Sequence, residues 1–277
     1  MTDLDGTLLD DDARLSDRTR SALIDLLDDG LMLTVASARS VVAMQSILAG
    51  LDLPLPVIEF NGAFISDLVT GRHLVTHDLG VNNAVAAYEF SLAAGCLPFV
   101  SSFDGVSDRL YYSEVRNPGM AWYVEDRLAS EDSRLCRTAD PSSKLSEQVV
   151  CLTVIDRPDV VTDLREGLIR EFDGTLSVTV FPNLYIDDSA WLTVHSTRAT
   201  KDQALATLLD MHGLSEAETV AFGDSENDIP LFRCADRAIA VGNASAEIKS
   251  LASEVIGPNN EDSVVEFLER EWRGTVA

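Results

Sequence analysis

The feature that most constrains this chain is the alternation of short apolar segments with amphipathic helical patterns at both of its ends. Each apolar segment ends in polar or glycine-containing residues, as buried parallel strands do. The segments are the strand candidates 31–37, 55–62, 218–224 and 237–243 and the helix candidates 17–29, 200–213, 245–253 and 261–272. Ser16 can cap the first helix and Gly30 can end it. Because parallel strands need crossover connections, the alternation predicts an α/β fold with a doubly wound parallel sheet.

The middle of the chain has a different pattern. From about residue 80 to residue 191 the polar stretches are longer, as in 130–148. The candidates there are the helices 82–95 and 158–172 and the strands 148–156 and 174–183. We therefore expect residues 80–195 to form an inserted α+β domain, with residues 1–79 and 196–277 forming the α/β core.

Charge limits the partners that this protein can bind. The formal net charge is −25, and only three of the 21 basic residues are lysines: Lys144, Lys201 and Lys249. Such an acidic surface repels nucleic acid and anionic membranes, which argues against both as partners. The acidity fits either a high-salt cytoplasm or an acidic proteome that favours arginine over lysine. Because lysine is scarce, a lysine at a mechanistically useful position is notable.

Cysteine spacing and hydropathy indicate a cytoplasmic protein. The four cysteines show no CxxC spacing, which is typical of free thiols in a reducing compartment. The four histidines do not cluster, which argues against a histidine metal site. The apolar runs are too short to cross a bilayer, and charge at Asp3 with no apolar stretch after it argues against a signal peptide.

Four polar stretches are expected at the carboxyl ends of the core strands, where parallel sheets gather their functional residues. The first contains Asp3, Asp5 and Gly6, and the second contains Ser37 and Arg39. Lys201 begins a helix, and the stretch 222–228 reads FGDSEND.

Together these residue types suit phosphoryl transfer. One carboxylate can attack phosphorus while a second donates a proton to the leaving oxygen and later activates water. Further carboxylates can hold Mg²⁺, and a hydroxyl and an ammonium can stabilise the transferred group. Gly6 permits a tight turn whose N–H groups can face an anion.

In order and spacing these stretches resemble the four motifs of the haloacid dehalogenase-like (HAD) superfamily. The large insertion between the second and third motifs resembles the Cof-type hydrolases, which carry a C2-type cap there (subfamily IIB). The segments FNGAFI (60–65) and VGNASAEIKSLA (241–252) also resemble that subfamily. The resemblance covers residues 1–79 and 196–277, and it implies a Rossmann-like core in which the residue-1 strand lies between 31–37 and 219–223. It also implies that the inserted domain is a cap that selects the substrate.

The resemblance implies a role for each matching residue. Asp3 matches the nucleophile, and Asp5 matches the general acid/base. The residues matched to phosphate binding are Ser37, Lys201, Asn227 and Gly6. The residues matched to the Mg²⁺ site are Asp224, the carboxylate of Asp3 and the main-chain carbonyl of Asp5. Asp228 matches the acid that supports this site. Arg39 is a further supporting residue; it ends the second motif, in which Ala38 stands where the family usually has glycine.

The function that follows is a Mg²⁺-dependent phosphatase acting on a small phosphorylated metabolite, such as a sugar phosphate or a phosphorylated cofactor. A phosphomutase or phosphotransferase on the same core is an alternative, and so is a catalytically weak metabolite-binding module. Dehalogenation fits poorly, since family dehalogenases lack the second aspartate that Asp5 supplies.

In the stretch 109–123, arginine and aromatic residues suit either a ligand surface or a packed cap core, and packing is favoured.

The strand that delivers Asp3 is unusually short. Only Met1 and Thr2 precede Asp3, whereas a typical strand has about five or six residues. One hypothesis is that the natural protein has a few more apolar residues upstream. The alternative is a short strand that is held by its neighbours at 31–37 and 218–223.

Overall fold

The computed structural model describes residues 1–183 and 185–275. The chain divides into two compact units, of which the first comprises Met1–Thr76 and Thr200–Ala277 and the second comprises His77–Ala199. The second unit thus interrupts the first in sequence. Its ends lie within four residues of the limits 80 and 195 expected from the sequence.

In the described part of the first unit, two small sheets are joined through single bridges. Its strands, numbered in chain order through both units, are β1 (Val57–Glu59), β2 (Phe64–Ser66), β3 (His73–Thr76), β10 (Val220–Gly223), β11 (Arg237–Ala240) and β12 (Glu254–Val255). Strands β1 to β3 are antiparallel, whereas β10 to β12 are parallel. Parallel bridges from Thr2 to Val35 and Phe222, and from Ala36 to Ile58, connect the two groups into one mixed sheet.

The residue-1 segment lies at the centre of this sheet, between residue 35 and β10, as expected. Thr2 N donates to Thr34 O at 3.2 Å on one side, and Asp3 N donates to Phe222 O at 3.1 Å on the other. The strand expected over 31–37 is reduced to bridges at Val35 and Ala36. The reason is that a strand needs a partner, and within the described residues the Met1–Asp3 segment faces residues 34–36 but not 31–33.

Helices cover the sheet of the first unit. They are α1 (Asp17–Asp28), α2 (Val41–Ile47), α6 (Lys201–Met211), α7 (Ile229–Cys234), α8 (Ala246–Leu251) and α9 (Ser263–Thr275). The expected start and stop of α1 are confirmed, because Ser16 Oγ accepts from Thr19 N at 2.9 Å and Gly30 has a φ of 95°. The core beneath these helices includes the fully buried Leu23 and Phe222. Burying such side chains stabilises the sheet that carries Asp3.

An apolar cavity of about 400 Å³ lies at the amino-terminal edge of this sheet. Met1 lines it together with residues 31–34, Val220 and Phe222, while α6 and α9 contribute further side chains. Asp3 leaves the sheet at the opposite, carboxyl-terminal edge. The cavity is therefore separate from the polar residues that the sequence singles out.

Within its described residues, the second unit is a mostly antiparallel sheet of six strands with three α-helices. In spatial order the strands are β6 (Leu135–Arg137), β5 (Asp108–Tyr112), β4 (Phe99–Phe103), β7 (Gln148–Asp156), β9 (Ala190–Ser196) and β8 (Leu176–Pro182), and the helices are α3 (Val81–Ala93), α4 (Pro118–Ala129) and α5 (Pro158–Phe172). The β5–β6 pair is parallel. Strand β7 and helix α5 have the bounds expected from the sequence, which confirms an α+β unit here.

Several aromatic residues of the stretch 109–123 pack inside the second unit. Tyr111 and Tyr123 are buried, and the guanidinium of Arg127 lies 4.0 Å from the ring centroid of Tyr123. Trp122 stacks on Tyr185 with 4.2 Å between ring centroids. Packing, which the sequence favoured over a ligand surface, is thus observed for the two buried tyrosines.

Two further expectations concern cysteines and membrane spans. Cys96, Cys136, Cys151 and Cys234 are all free thiols, as expected. Among the described residues, none of the helices combines the length and the apolar character that crossing a membrane requires.

Candidate active site

Asp3 begins a tight turn at the carboxyl end of the central segment. Its Oδ1 accepts a hydrogen bond from Leu4 N at 2.7 Å, and Leu9 N closes the turn on Leu4 O at 2.9 Å. Gly6 within the turn has a φ of 71°, and a Cβ atom there would lie 2.7 Å from Asp224 Oδ2. Glycine is therefore required both by the left-handed backbone and by the close approach of a carboxylate.

Lys201, the first residue of α6, lies between two carboxylates. Its Nζ is 3.0 Å from Asp3 Oδ2 and donates to Asp228 Oδ1 at 2.7 Å, although the residue is only 1% exposed. Burial alone would lower the pKa of Lys201, but the charges of Asp228 and Asp3 outweigh burial, so the pKa is raised. The ammonium therefore stays charged beside Asp3.

Asp228 is fully buried and both of its carboxylate oxygens are engaged. Oδ1 accepts from Lys201, while Oδ2 accepts from the backbone N–H groups of Asp224 at 3.0 Å and Ser225 at 3.2 Å. These bonds fix Lys201 and the loop after β10 at the same time. The arrangement suits a supporting acid, as the sequence predicted for Asp228.

Asp224 faces Asp3 across the turn. Thr7 Oγ1 donates to its Oδ1 at 2.8 Å, and Ser225 Oγ donates to its Oδ2 at 2.6 Å. Carboxylate oxygens of Asp3, Asp224 and Asp228 lie within 4.8 Å of one another. Thr7 and Ser225 were not predicted from the sequence as site residues, although both lie inside the motif stretches and carry hydroxyl groups.

This cluster has the chemistry of a divalent-cation site. One ammonium faces three carboxyl groups in a buried space, so ionising all three leaves an excess of negative charge that a divalent cation can neutralise. Burial is the main reason that the pKa of Asp3 is raised to about 8 in the protein alone; the nearby carboxylates add to the shift and Lys201 opposes it. Burial likewise raises the pKa of Asp224. Oxygen ligands of this kind suit a hard cation such as Mg²⁺.

Asp5 is not one of the carboxylates of this cluster, and its side chain is bound by Arg39. Arg39 Nε donates to Asp5 Oδ2 at 2.7 Å, and Nη2 donates to Oδ1 at 2.6 Å. The Asp5 side chain remains 47% exposed. The structure thus gives Arg39 a defined partner, since its guanidinium holds the residue predicted to be the acid/base.

Ser37 leaves the sheet at the same edge as Asp3. Ala36 N donates to Thr2 O at 3.0 Å. Ser37 and Asp3, the residues that follow these two, therefore leave the sheet side by side. Ser37 is 1% exposed, and its Oγ accepts from Arg39 N at 3.1 Å.

Asn227 lies in the short turn after β10, where its Nδ2 donates to Asn61 Oδ1 at 3.0 Å. Asn61 lies in the segment FNGAFI, and the sequence pattern predicted no role for it. Asn243 was also missed; its Nδ2 donates to Gly6 O at 2.7 Å. Asn243 lies within the segment 241–252, whose sequence resembles the Cof-type subfamily. Its hydrogen bond to Gly6 could not be inferred from a sequence pattern, because the two residues are 237 positions apart.

Comparison with known proteins agrees with this geometry. A family model described as haloacid dehalogenase-like hydrolase matches residues 1–268. The 5-amino-6-(5-phospho-D-ribitylamino)uracil phosphatase YitU of Bacillus subtilis is 24% identical over 278 residues, covering 96% of this chain and 94% of the relative. The HMP-PP phosphatase of Klebsiella pneumoniae is 27% identical over 270 residues, covering 96% and 92%.

A solved structure supports the same assignment. The crystal structure of TM0651 from Thermotoga maritima matches with a TM-score of 0.77 and 26% identity, covering 97% of this chain and 95% of that protein. The resemblance inferred from the motifs is thereby confirmed. Since the family model extends over nearly the whole chain, the protein belongs to the haloacid dehalogenase-like hydrolases.

Proposed function

We propose that this protein is a Mg²⁺-dependent phosphatase that hydrolyses a small phosphorylated metabolite through an aspartyl-phosphate intermediate. The observation that supports this most is the buried Asp3 carboxylate, which contacts Lys201 and lies beside Asp224 and Asp228. A nucleophile, a fixed positive charge and further carboxylates are thus within one small volume. These are the groups that phosphoryl transfer requires.

In the first step an oxygen of Asp3 attacks phosphorus, and the bond from phosphorus to the ester oxygen breaks. Protonated Asp5 donates its proton to the departing oxygen, which leaves as an alcohol. Lys201 offsets charge on the transferred group, and Ser37 and Asn227 provide polar groups for its oxygens. The backbone N–H groups of the turn at Gly6 have the same role.

In the second step water attacks the phosphorus of the aspartyl phosphate. Asp5, now a carboxylate, accepts the proton of that water, and the bond from phosphorus to Asp3 breaks. Inorganic phosphate leaves, and both aspartates return to their starting states. Arg39 donates two hydrogen bonds to the ionised Asp5 side chain, which holds the carboxylate in one orientation before it accepts this proton.

The carboxylates of Asp3 and Asp224 and the main-chain carbonyl of Asp5 would hold Mg²⁺. A bound Mg²⁺ supplies positive charge that neutralises the phosphoryl oxygens. We assign Asp228 a supporting role because it is fully buried and accepts from the Lys201 ammonium and two backbone N–H groups. The partners of Asp224 are instead two hydroxyl groups, which can rotate to leave its oxygens to a cation.

The substrate we propose is a sugar phosphate or a phosphorylated cofactor. The names of two relatives, a phosphoribitylaminouracil phosphatase and an HMP-PP phosphatase, fit a small phosphorylated molecule. The net charge of −25 disfavours nucleic acid. In this proposal residues 1–79 and 196–277 catalyse, residues 80–195 act as the cap that selects the substrate, and the enzyme works in the cytoplasm.

A panel of phosphorylated metabolites, assayed with Mg²⁺ for release of inorganic phosphate, tests this function. We expect hydrolysis of several members, with the highest kcat/KM on a small sugar or cofactor ester. Transfer of the phosphoryl group to a second sugar hydroxyl, without phosphate release, would instead identify a phosphomutase. Tight binding of one metabolite without turnover would identify a binding module.

A further inference from the structure

The turn Phe60–Gly62 follows β1 with an unusual backbone. Three consecutive residues have positive φ, with values of 46° at Phe60, 58° at Asn61 and 119° at Gly62. Asparagine and glycine tolerate this region, but an aromatic residue does so rarely, so the surrounding contacts must hold the turn. The turn is therefore a place where the fold maintains a costly conformation.

This turn contacts the loops that carry the second and third motifs. Phe60 N donates to Arg39 O at 3.2 Å, and Asn61 N donates to Ser37 O at 2.9 Å. A Cβ atom at Gly62 would lie 2.5 Å from the carbonyl oxygen of Thr200, the residue before Lys201. The backbone of three residues thus supports the Ser37 loop and packs against the start of α6.

The side chain of Asn61 reaches the fourth motif. Its Oδ1 accepts from Asn227 Nδ2, and within the described part of the chain Asn227 Oδ1 is buried with no hydrogen-bond partner. Amide side chains can exchange these roles, because each carries both a donor and an acceptor. If both side-chain amides flip by 180°, Asn61 Nδ2 donates to Asn227 Oδ1, and Asn227 Nδ2 occupies the position of the unpaired oxygen.

We propose that Asn61 is a positioning residue for phosphate binding. Its left-handed backbone holds the Ser37 loop, and its amide allows Asn227 to present a donor to phosphoryl oxygens while keeping one hydrogen bond. This proposal rests on the proposed function, since it takes Asn227 as a phosphate ligand. Phosphoryl oxygens accept hydrogen bonds, so an Asn227 that turned its oxygen toward them would weaken binding.

Two substitutions separate this role from a structural one. Asn61→Gly keeps the left-handed backbone and removes the amide, so Asn227 can still rotate freely. Asn61→Asp keeps the size and an acceptor for Asn227 Nδ2, but it can only accept, which locks the unfavourable arrangement and adds negative charge. Glu131→Gly is the matched control, because Glu131 is exposed in the second unit and has a φ of 54°.

The measurements are the Kd of inorganic phosphate by calorimetry in the presence of Mg²⁺, KM and kcat with p-nitrophenyl phosphate, and Tm. We expect phosphate affinity to fall about five- to tenfold in Asn61→Gly, the effect of one neutral hydrogen bond. In Asn61→Asp it should fall at least about tenfold further, with Tm close to wild type. A structural role alone predicts the reverse order, in which the isosteric aspartate is tolerated and glycine is worse, and that order would overturn the proposal.

A double-mutant cycle adds an independent check. If Asn61 acts through Asn227, Asn61→Gly should change phosphate affinity less than about twofold once Asn227→Ala is present. Equal effects of Asn61→Gly with and without Asn227 would contradict the proposal. If the wild-type protein binds phosphate but hydrolyses no phosphate ester, the proposed phosphatase function is wrong and the role of Asn61 in phosphate binding can still hold. If it binds no phosphate with Mg²⁺ present, both proposals are wrong.

Discussion

Arg39 holds both carboxylate oxygens of Asp5, with distances of 2.7 Å from Nε to Oδ2 and 2.6 Å from Nη2 to Oδ1. This fork links the second motif directly to the residue proposed to move protons. A guanidinium matches a carboxylate in this way because it presents parallel N–H groups, which the ammonium of a lysine cannot do. We therefore expect any effect of Arg39 to depend on its shape as well as on its charge.

Replacing Arg39 should affect substrates according to their leaving groups. Arg39→Ala is expected to lower kcat for alkyl phosphates about tenfold, since Asp5 is half exposed and the pair is partly screened. It should change kcat for p-nitrophenyl phosphate by less, because that leaving group hardly needs a proton. Arg39→Lys should behave like Arg39→Ala, and Arg14→Ala at the exposed surface is the control. Equal losses on both substrates would show that Arg39 does not act through Asp5.

The two aspartates of the first motif should differ in their importance. Asp3→Asn should abolish turnover, because an amide neither attacks phosphorus nor binds a cation well. Asp5→Asn should slow turnover by roughly 10²–10⁴, the usual contribution of general acid–base catalysis. Asp12→Asn, an exposed neighbour in the same stretch, should retain full activity. Near-normal rates in Asp3→Asn would refute the aspartyl-phosphate mechanism.

Metal removal tests the acidic cluster in two ways. EDTA should remove activity and Mg²⁺ should restore it, whereas Ca²⁺ should support little turnover because it accepts looser coordination geometry. Mg²⁺ should also raise the Tm of the wild type, since a ligand that binds the folded state stabilises it. Asp224→Asn should lose this rise in Tm. Full activity in excess EDTA would argue against a metal at Asp224.

His195 should make stability depend on pH below neutrality. Burial lowers its pKa from 6.5 to about 4, while its Nδ1 lies 3.1 Å from Val150 O. The folded state favours the neutral imidazole of His195. Its contribution to the free energy of unfolding is therefore fully present above pH 6.5 and is lost as the pH falls toward 4. The loss amounts to about 3 kcal/mol at most.

His195→Asn, which retains a donor near the position of Nδ1 but does not titrate, is the variant that tests this dependence. Its Tm should fall less than that of the wild type between pH 7 and pH 4, as followed by circular dichroism. His212→Asn, at an exposed position, is the control and should follow the wild type. Parallel Tm curves for His195→Asn and wild type would contradict the assignment.

The cavity beside Met1 offers a way to stabilise the central segment. It has a volume of about 400 Å³ and is lined by Leu31, Leu33, Val220 and other apolar residues. Adding four β-branched apolar residues before Met1 should extend the segment between residues 31–33 and β10, form ladder hydrogen bonds and bury apolar surface. Tm should rise, and kcat should rise too if Asp3 becomes more rigid. An equal number of added glycine and serine residues is the control, and no gain over it would mean that the segment does not enter the cavity.

Elements with a strong period or clear boundary residues could be predicted from the sequence. Helix α1 has a serine cap and a glycine stop, and β7 and α5 are long enough for their patterns to be unambiguous. Strands β1 and β2 have three residues each, and α2 has seven. Such short elements are held by long-range pairing, which leaves no period to detect. For this reason the sequence did not predict the β2–β3 hairpin, and it predicted a longer strand over 31–37 than the structure contains.

By itself the sequence determined which chemical groups the candidate site is proposed to contain, because Asp3, Asp5, Lys201 and Asp224 lie in short motifs whose order and residue types suit one kind of chemistry. Only the tertiary structure decided how these groups are paired. Lys201 and Asp228 are 27 residues apart, and Asn61 and Asn227 are 166 apart. Such contacts depend on how loops after different strands turn at one sheet edge, and hydrogen bonds are sensitive to shifts of a few tenths of an ångström. Residue type and local spacing carry no information at that scale, so the partners of each carboxylate and amide are set by the fold.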